Sequence, residues 1–362
     1  MTPELKNITG SLLIDATAAF LNGAGLGSGE DKNRVVPKTF KEKVNGHVEE
    51  VPYVSAQAWR RWLRDTTNEE NGWTPSELKA INLSEKGSTN KIATELNPID
   101  FPEDDLFGYM KAGGKKEKGK KNKEEEDDEE EDNKSKGKEL SIQRTSPFKS
   151  SILRGIKNMR ALTVDEAFVH LKEGTPLPYS TRFYSTHLEG FFNLEYYRLG
   201  VYDNLGSHQE LSKELIDKHI SNLDISTING KFYRYTLKNA IALRKKRAAG
   251  LLKGLVYLRG GAKQAAFGSD VAPKVIILAG LSSANPVFNN LFEGTKANPA
   301  LKIETLKQIA ADYANKLATP VYLGIRAGYL VNENEIKELD GSLFKVCSPI
   351  EAVKQFTNNH LQ

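Results

Sequence analysis

Apolar positions along the chain change period several times, and each change marks an element. Asn7–Ala19 opens as a short, Thr/Gly-containing apolar run, the signature of a buried strand, and the segment from Asn22 to Gly29, with four glycines in seven residues, ends it. Thr39 to Val51 reads as a hairpin whose Asn45-Gly46 pair suits a type I′ turn between Lys43-Val44 and His47-Val48. Over Val54–Arg64 the period becomes helical. At roughly 100° per residue, Ala56, Ala58, Trp59, Trp62 and Leu63 share one side, while Gln57, Arg60, Arg61 and Arg64 fall within an arc of about 100° opposite. Ser55 is placed to cap this helix, because its hydroxyl accepts from an unpaired first-turn amide.

Past Asp65 the periodicity is broken by Gly72, Pro75, Gly87, Pro98 and Pro102, and from Lys111 to Glu139 nothing is present that could pack. Val164 to Lys172 reads as a short helix closed by Gly174, and Thr181 to Tyr202 as two strands meeting near Glu189-Gly190. Asp203 to Lys231 is a polar excursion with a helical piece at Leu211–Ile220. Tyr233 to Tyr257 then predicts one long helix, with Ile241, Leu251, Leu252 and Leu255 facing inward. A buried strand at Pro273–Leu281, a helix at Lys302–Leu317, a strand at Pro320–Ile325 and a helix started by Pro349 complete the chain. Without the insertions the order is strand, helix, strand, strand, helix, strand. That is an α+β fold of the ferredoxin-like split βαβ kind used by RNA-recognition modules.

Length and composition narrow the class. With 362 residues and 39% hydrophobic content, the chain is expected to bury a substantial core. One cysteine, Cys347, leaves no disulfide framework and no Cys-based zinc site. No apolar run approaches the roughly 20 residues of a membrane span, and Met1–Lys6 has no signal-like apolar region, so a soluble cytoplasmic protein without membrane association is expected. The net charge of +4 conceals a segregation. Glu124–Asp132 is an unbroken run of nine acids, and setting those nine charges aside leaves +13 on the remainder, which suggests an anionic partner.

Two segments offer the chemistry for such a partner. Three guanidiniums on one helix face repel one another unless something anionic lies across them, and their planar forks match phosphate oxygens. The second segment is Arg259-Gly260-Gly261-Ala262-Lys263-Gln264, where paired glycines let backbone approach a ligand and two cations supply charge; a glycine helix cap is the plainer alternative. The glycines after Asn22 lack the Lys-Ser/Thr of a nucleotide phosphate loop. The six histidines are scattered without metal-ligand spacing, so no metal or cofactor is expected.

These residues together resemble a known family. Ile14-Asp15 leading into Asn22-Gly-Ala-Gly, the Ser55-x-Gln57-x-x-Arg60-Arg61-x-x-Arg64 helix, the Phe183-Tyr184 strand pair and Leu258 through Gln264 look like the DevR-type backbone subunit of type I CRISPR Cascade complexes, in the repeat-associated mysterious protein superfamily. The resemblance covers both ends of the core and matches little between Asp65 and Ser180. It implies an RRM-like palm (1–65, 181–202 and 232–362), a helical fingers insertion (66–180, including the 111–139 tract) and a thumb (203–231). It further implies copies polymerised along one crRNA, other Cascade subunits as partners, and target DNA reached through the guide. The RNA-binding residues carried over are Asn22, Ser55, Gln57, Arg60, Arg61, Arg64, Arg259, Gly260, Gly261, Ala262, Lys263 and Gln264. No catalytic residue is implied for a subunit that only holds its guide. Two alternatives stand beside this reading: a metal-dependent RNA-cleaving backbone subunit of the type III kind using Asp31, and a sequence-independent single-strand binder; for the histidine general base that processing endonucleases of the superfamily often use, His47 is the only candidate between the first strand and the first helix.

Overall fold

The computed structural model describes residues 3–26, 34–44, 46–77, 79–82, 90–111, 141–169, 177–295 and 298–361. Asp31, Asn45, Gly174 and positions 112–139 of the charged tract lie outside them. The chain forms two compact units. The first gathers residues 1–73, 148–197 and 244–362; the second gathers 74–147 and 198–243.

In chain order the first unit opens with β1 (Asn7–Ala19), β2 (Gly23–Leu26), β3 (Arg34–Pro37), β4 (Thr39–Val44), β5 (His47–Val54) and α1 (Ala56–Asn71). The second unit then contributes β6 (Lys79–Asn82), β7 (Asn90–Ala93), α2 (Pro102–Phe107), β8 (Tyr109–Lys111) and β9 (Ser141–Arg144). The core resumes with β10 (Phe148–Ser150), β11 (Leu153–Val169) and β12 (Leu177–Leu194). A second excursion holds β13 (Val201–Leu205), β14 (His208–Gln209), α3 (Lys213–His219), β15 (Leu223–Ile228) and β16 (Phe232–Leu237). It is followed by α4 (Ala240–Val256), α5 (Gln264–Phe267), β17 (Val275–Leu281), β18 (Phe292–Glu293), β19 (Ala300–Leu301), α6 (Ile303–Asp312), β20 (Val321–Ile325), α7 (Glu333–Lys337), β21 (Phe344–Cys347) and α8 (Pro349–His360).

An 11-stranded sheet forms the first unit, with β21-β20-β17-β1-β12-β11-β5-β4 as its main path, β10 and β3 also paired to β12, and β2 paired to β3. Its centre is β1, which pairs antiparallel with β12 (Ile14↔Leu188) on one side and with β17 (Ile8↔Gly280) on the other. Strand alternation divides its side chains. On one face Phe192 stacks on Phe148, whose ring meets Trp59 of α1 edge-on at 5.9 Å. On the opposite face Leu13, Val275, Ile277 and Ala279 join Leu306 of α6, Ile336 of α7 and Phe344 in a buried apolar cluster. The helices α1 and α4 approach closely because α4 presents two glycines: a Cβ on Gly254 would lie 2.2 Å from Thr67 Oγ1, and one on Gly250 would lie 2.5 Å from the Trp73 ring.

The second unit rests on a six-stranded sheet, β15-β16-β13-β14-β9-β8. Its internal tie is Arg144, fully buried, with all five guanidinium N–H groups in use. Nε donates to the Asp105 carbonyl at 3.2 Å, Nη1 to the Val201 carbonyl at 3.0 Å and Glu210 Oε2 at 2.9 Å, and Nη2 to the Arg198 carbonyl at 3.0 Å and to the Asp105 carboxylate. The guanidinium also lies 4.7 Å over the Tyr202 ring.

The mixed α+β class, β1, the β4–β5 hairpin, β17 and the Pro349 helix agree with the sequence reading. Three expectations do not. Val164–Val169 continues β11 in register with β12 (Val164↔Arg182) and is not helical, because pairing to an 18-residue partner overrides its weak helical period. Thr181–Leu194 is one strand with no break at Gly190. That glycine is not a turn residue: it leaves space for Leu153, whose Cδ2 would stand 2.5 Å from an added Cβ. Phe232–Leu237 is a strand paired on both sides, so the helix begins only at Ala240, and Ile241 in its first turn is 68% exposed where an inward position was expected. The lobe expected to be helical carries, among the described residues between Thr74 and Pro147, one six-residue helix and four short strands.

Candidate nucleic-acid interface

Three parts of the first unit meet where β1 ends. The Asn22 carboxamide oxygen accepts from Ser55 N at 3.0 Å, and Ser55 Oγ in turn accepts from Ala58 N at 3.4 Å, so the exit of β1 fixes the start of α1. The 259–264 loop lies against both. Ala262 N donates to the Leu21 carbonyl at 2.9 Å, and Thr66 Oγ1 both accepts from Arg259 N at 3.1 Å and donates to the Arg259 carbonyl at 3.3 Å. The two basic segments noted in the sequence therefore share one site.

Both glycines of the loop are required by its packing. Gly260 (φ +148°) presses on Trp62, whose Cγ would be 2.3 Å from a Cβ, and a Cβ on Gly261 (φ +111°) would lie 2.6 Å from Gln264 Nε2 and 2.8 Å from Leu21 Cδ2. Neither caps α4, which ends at Val256. Gln264 Nε2 donates to the Gly260 carbonyl and closes the loop. Lys263 holds a left-handed conformation (φ 52°), a strained choice for a non-glycine residue, and its Nζ donates to Thr181 Oγ1 at 2.8 Å and Tyr179 Oη at 3.1 Å. The same ammonium lies 5.4 Å from the Phe20 ring and 5.0 Å from the Tyr179 ring. The Tyr179 hydroxyl is shifted below its usual range by hydrogen bonds to Thr181 and Lys263.

The row of guanidiniums on α1 is more differentiated than its spacing suggests. Arg60 turns inward: it donates to the Phe148 carbonyl and stacks 5.5 Å from the Phe148 ring. Burial, with the neighbouring Arg64 charge, pulls it down to about 10, so it stays cationic at neutral pH. Arg61 Nε pairs with Asp65 Oδ2 at 2.9 Å, and Gln57 is exposed. Arg259 spans two carboxylates, Glu70 at 2.7 Å and Glu69 at 2.8 Å.

Sequence reasoning missed Tyr179, Thr181 and Phe20 because their roles depend on strand pairing. The alternation Tyr179, Thr181, Phe183 on β12 is the signal that could have marked that face, and Phe183 and Phe20 both pack on Phe267 (5.6 and 6.4 Å). Asp31, the alternative nuclease residue, lies outside the described residues. His47 is exposed at the start of β5. Asp15 lies within β1, paired in register with His187, and accepts from Thr17 N at 3.1 Å and Thr17 Oγ1 at 2.7 Å. Among the described residues no group of three or more His, Cys, Asp or Glu is placed to hold a metal, and no helix is long and apolar enough to cross a membrane.

No family model and no curated protein matches the sequence. Solved structures do match. A chain of a "CRISPR RNA-guided surveillance complex, pre-nicking" aligns over 97% of this chain and 99% of its own length at 10% identity, with a TM-score of 0.52. A chain of another CRISPR RNA-guided surveillance complex aligns over 97% and 98% at 11% identity (TM-score 0.49), and Csc2 of Thermofilum pendens over 87% and 79% at 11% identity (TM-score 0.33). The first of these defines the class: the chain has the fold of a CRISPR surveillance-complex component.

Proposed function

We propose that this chain is a non-catalytic backbone subunit of a type I CRISPR Cascade complex, of the DevR kind within the repeat-associated mysterious protein superfamily, which grips the sugar-phosphate of a crRNA. The observation that carries the reading is the joining of the 259–264 loop to α1 at the end of β1: backbone with no Cβ at two positions, a strained Lys263 beside aromatic rings, and Gln57, Arg61 and Arg64 on the adjoining helix. Cations and aromatic rings that meet phosphate and base faces suit a strand of arbitrary sequence. Support also comes from the fold, shared over nearly the whole chain with a component of an RNA-guided complex.

In this reading the sheet centre β17-β1-β12-β11, connected in the order β1-α1-β11-β12-α4-β17, is the RRM-like palm. The excursion before Pro147 supplies the fingers and that over 203–231 the thumb, the two joined in one sheet where β14 pairs with β9. Copies of the chain line one guide in the cytoplasm, flanked by other Cascade subunits, and leave bases available to target DNA. The test is to express the chain with a CRISPR array and its neighbouring genes, purify it, digest with nuclease and sequence the protected RNA. Guide fragments stepped at a regular interval and left uncut are expected. Protein recovered without RNA overturns the reading, and fragments cut at regular spacing only with divalent metal replace it with a nuclease.

A further inference from the structure

Carboxylates on the outer half of α1 hold the cations of the interface. Asp65 takes Arg61 at 2.9 Å, and one turn further on Glu69 and Glu70 take the two ends of the Arg259 fork, while Glu70 also lies 3.5 Å from Lys253 Nζ. The Arg259 pairs are not what keeps the loop in place. Three backbone bonds, through Thr66 Oγ1 and the Leu21 carbonyl, and the contact of Gly260 with Trp62 do that independently. The Arg259 side chain is half exposed and Glu69 two-thirds exposed, a setting in which that ion pair adds little to folding and exchanges readily, while Glu70 is 22% exposed. The Glu70 carboxyl lies below its usual range, chiefly through its hydrogen bond from Arg259.

We infer that Glu69 and Glu70 are built-in competitors for the anion Arg259 would take, so that this guanidinium is neutralised until a continuous polyphosphate strand displaces them. This rests on the RNA-binding reading above. An isolated phosphate brings two charges at most against two fixed carboxylates. A strand brings a row of phosphates and releases its condensed counterions collectively, so it wins the exchange where inorganic phosphate does not. Glu69 and Glu70 thus set selectivity for nucleic-acid chains over small anions.

The test uses the full chain, labelled polyuridylate RNA and inorganic phosphate as competitor, with fluorescence anisotropy as the readout. The Glu69→Gln/Glu70→Gln protein is expected to melt within about 4 °C of the unsubstituted protein, since the backbone bonds and the Gly260–Trp62 contact hold the loop without these pairs. It should bind RNA about five-fold tighter at low salt, with a salt slope steeper by about 0.7, the value of one added phosphate contact on a single strand. It should also become more sensitive to phosphate competition. Adding Arg259→Ala should remove the gain. If the unsubstituted protein binds RNA and the double variant binds no better, the carboxylates are structural and the inference is overturned; a gain that survives Arg259→Ala overturns it too, as a general charge effect. If neither protein binds RNA, the RNA-binding reading falls and this inference with it.

Discussion

Replacing Arg144 by Met should cost the second unit about 3–5 kcal/mol. The side chain is fully buried and its five N–H groups join four stretches of chain, around Asp105, Arg198, Val201 and Glu210. Burial alone would lower the guanidinium's affinity for its proton, but the Asp105 and Glu210 carboxylates outweigh it and hold the group above its ordinary range. Methionine fills much of the volume and supplies no donor. Glu210 keeps Arg198 at 2.7 Å and the Asp203 amide at 3.0 Å, so the uncompensated charge falls on Asp105, which retains the Gly200 amide at 3.1 Å. Removing one partner of a buried pair carries a penalty of about 3–5 kcal/mol, which for a unit of this size lowers the melting temperature by on the order of 10 °C. Calorimetry of the full chain, with peptide-resolved hydrogen exchange over 198–211, measures it. Asp105→Asn in the Arg144→Met background should recover at least about 1 kcal/mol, because the charge left behind is then gone. A loss under about 1 kcal/mol, or no recovery with Asp105→Asn, would refute the reasoning.

Two smaller perturbations test other parts of the fold. Glu189 is 8% exposed and is raised above the carboxylate range by burial, although Leu291 N donates to it at 2.8 Å. An acid whose folded value is raised destabilises the fold while ionised, so Glu189→Gln should raise the melting temperature at pH 7.5, and the advantage should shrink as pH falls toward the ordinary carboxylate range; a pH-independent difference contradicts the assignment. Gly260→Ala places a methyl group against Trp62 at φ +148° and should cost about 1–3 kcal/mol in a thermal melt while weakening RNA binding; a neutral substitution would mean that the loop does not pack as described.

What the sequence disclosed follows from the range of the interactions involved. Ser55 capping α1, Trp59 and Leu63 on its inner side, and the Val44↔His47 register of the β4–β5 hairpin are local consequences of spacing and turn chemistry, and each is present. The errors lie where distant strands decide. Val164–Val169 and Phe232–Leu237 have mixed local preference, and each became a strand because a paired partner was waiting. The basic segments were visible as charge, but their partners were not. That Arg60 turns onto Phe148, and that Arg259 reaches back to Glu69 and Glu70 across nearly two hundred residues, depends on how α1, β10 and the loop pack.

The central position of β1 has a consequence for biosynthesis. This strand is made before both of its neighbours in the finished sheet, β12 and β17, so both of its hydrogen-bonding edges stay open until those strands emerge. Between Ala19 and Leu177 lie about 158 residues, roughly 8–30 s of translation at 5–20 residues per second, and β17 comes later still. Throughout that interval the nascent chain carries an apolar segment, Ile8 to Ile14, with nothing yet made to pair with it. Chaperone engagement of ribosome-bound chains is therefore expected to concentrate on Ile8–Ile14 and to cease once the chain past Leu281 has cleared the exit tunnel.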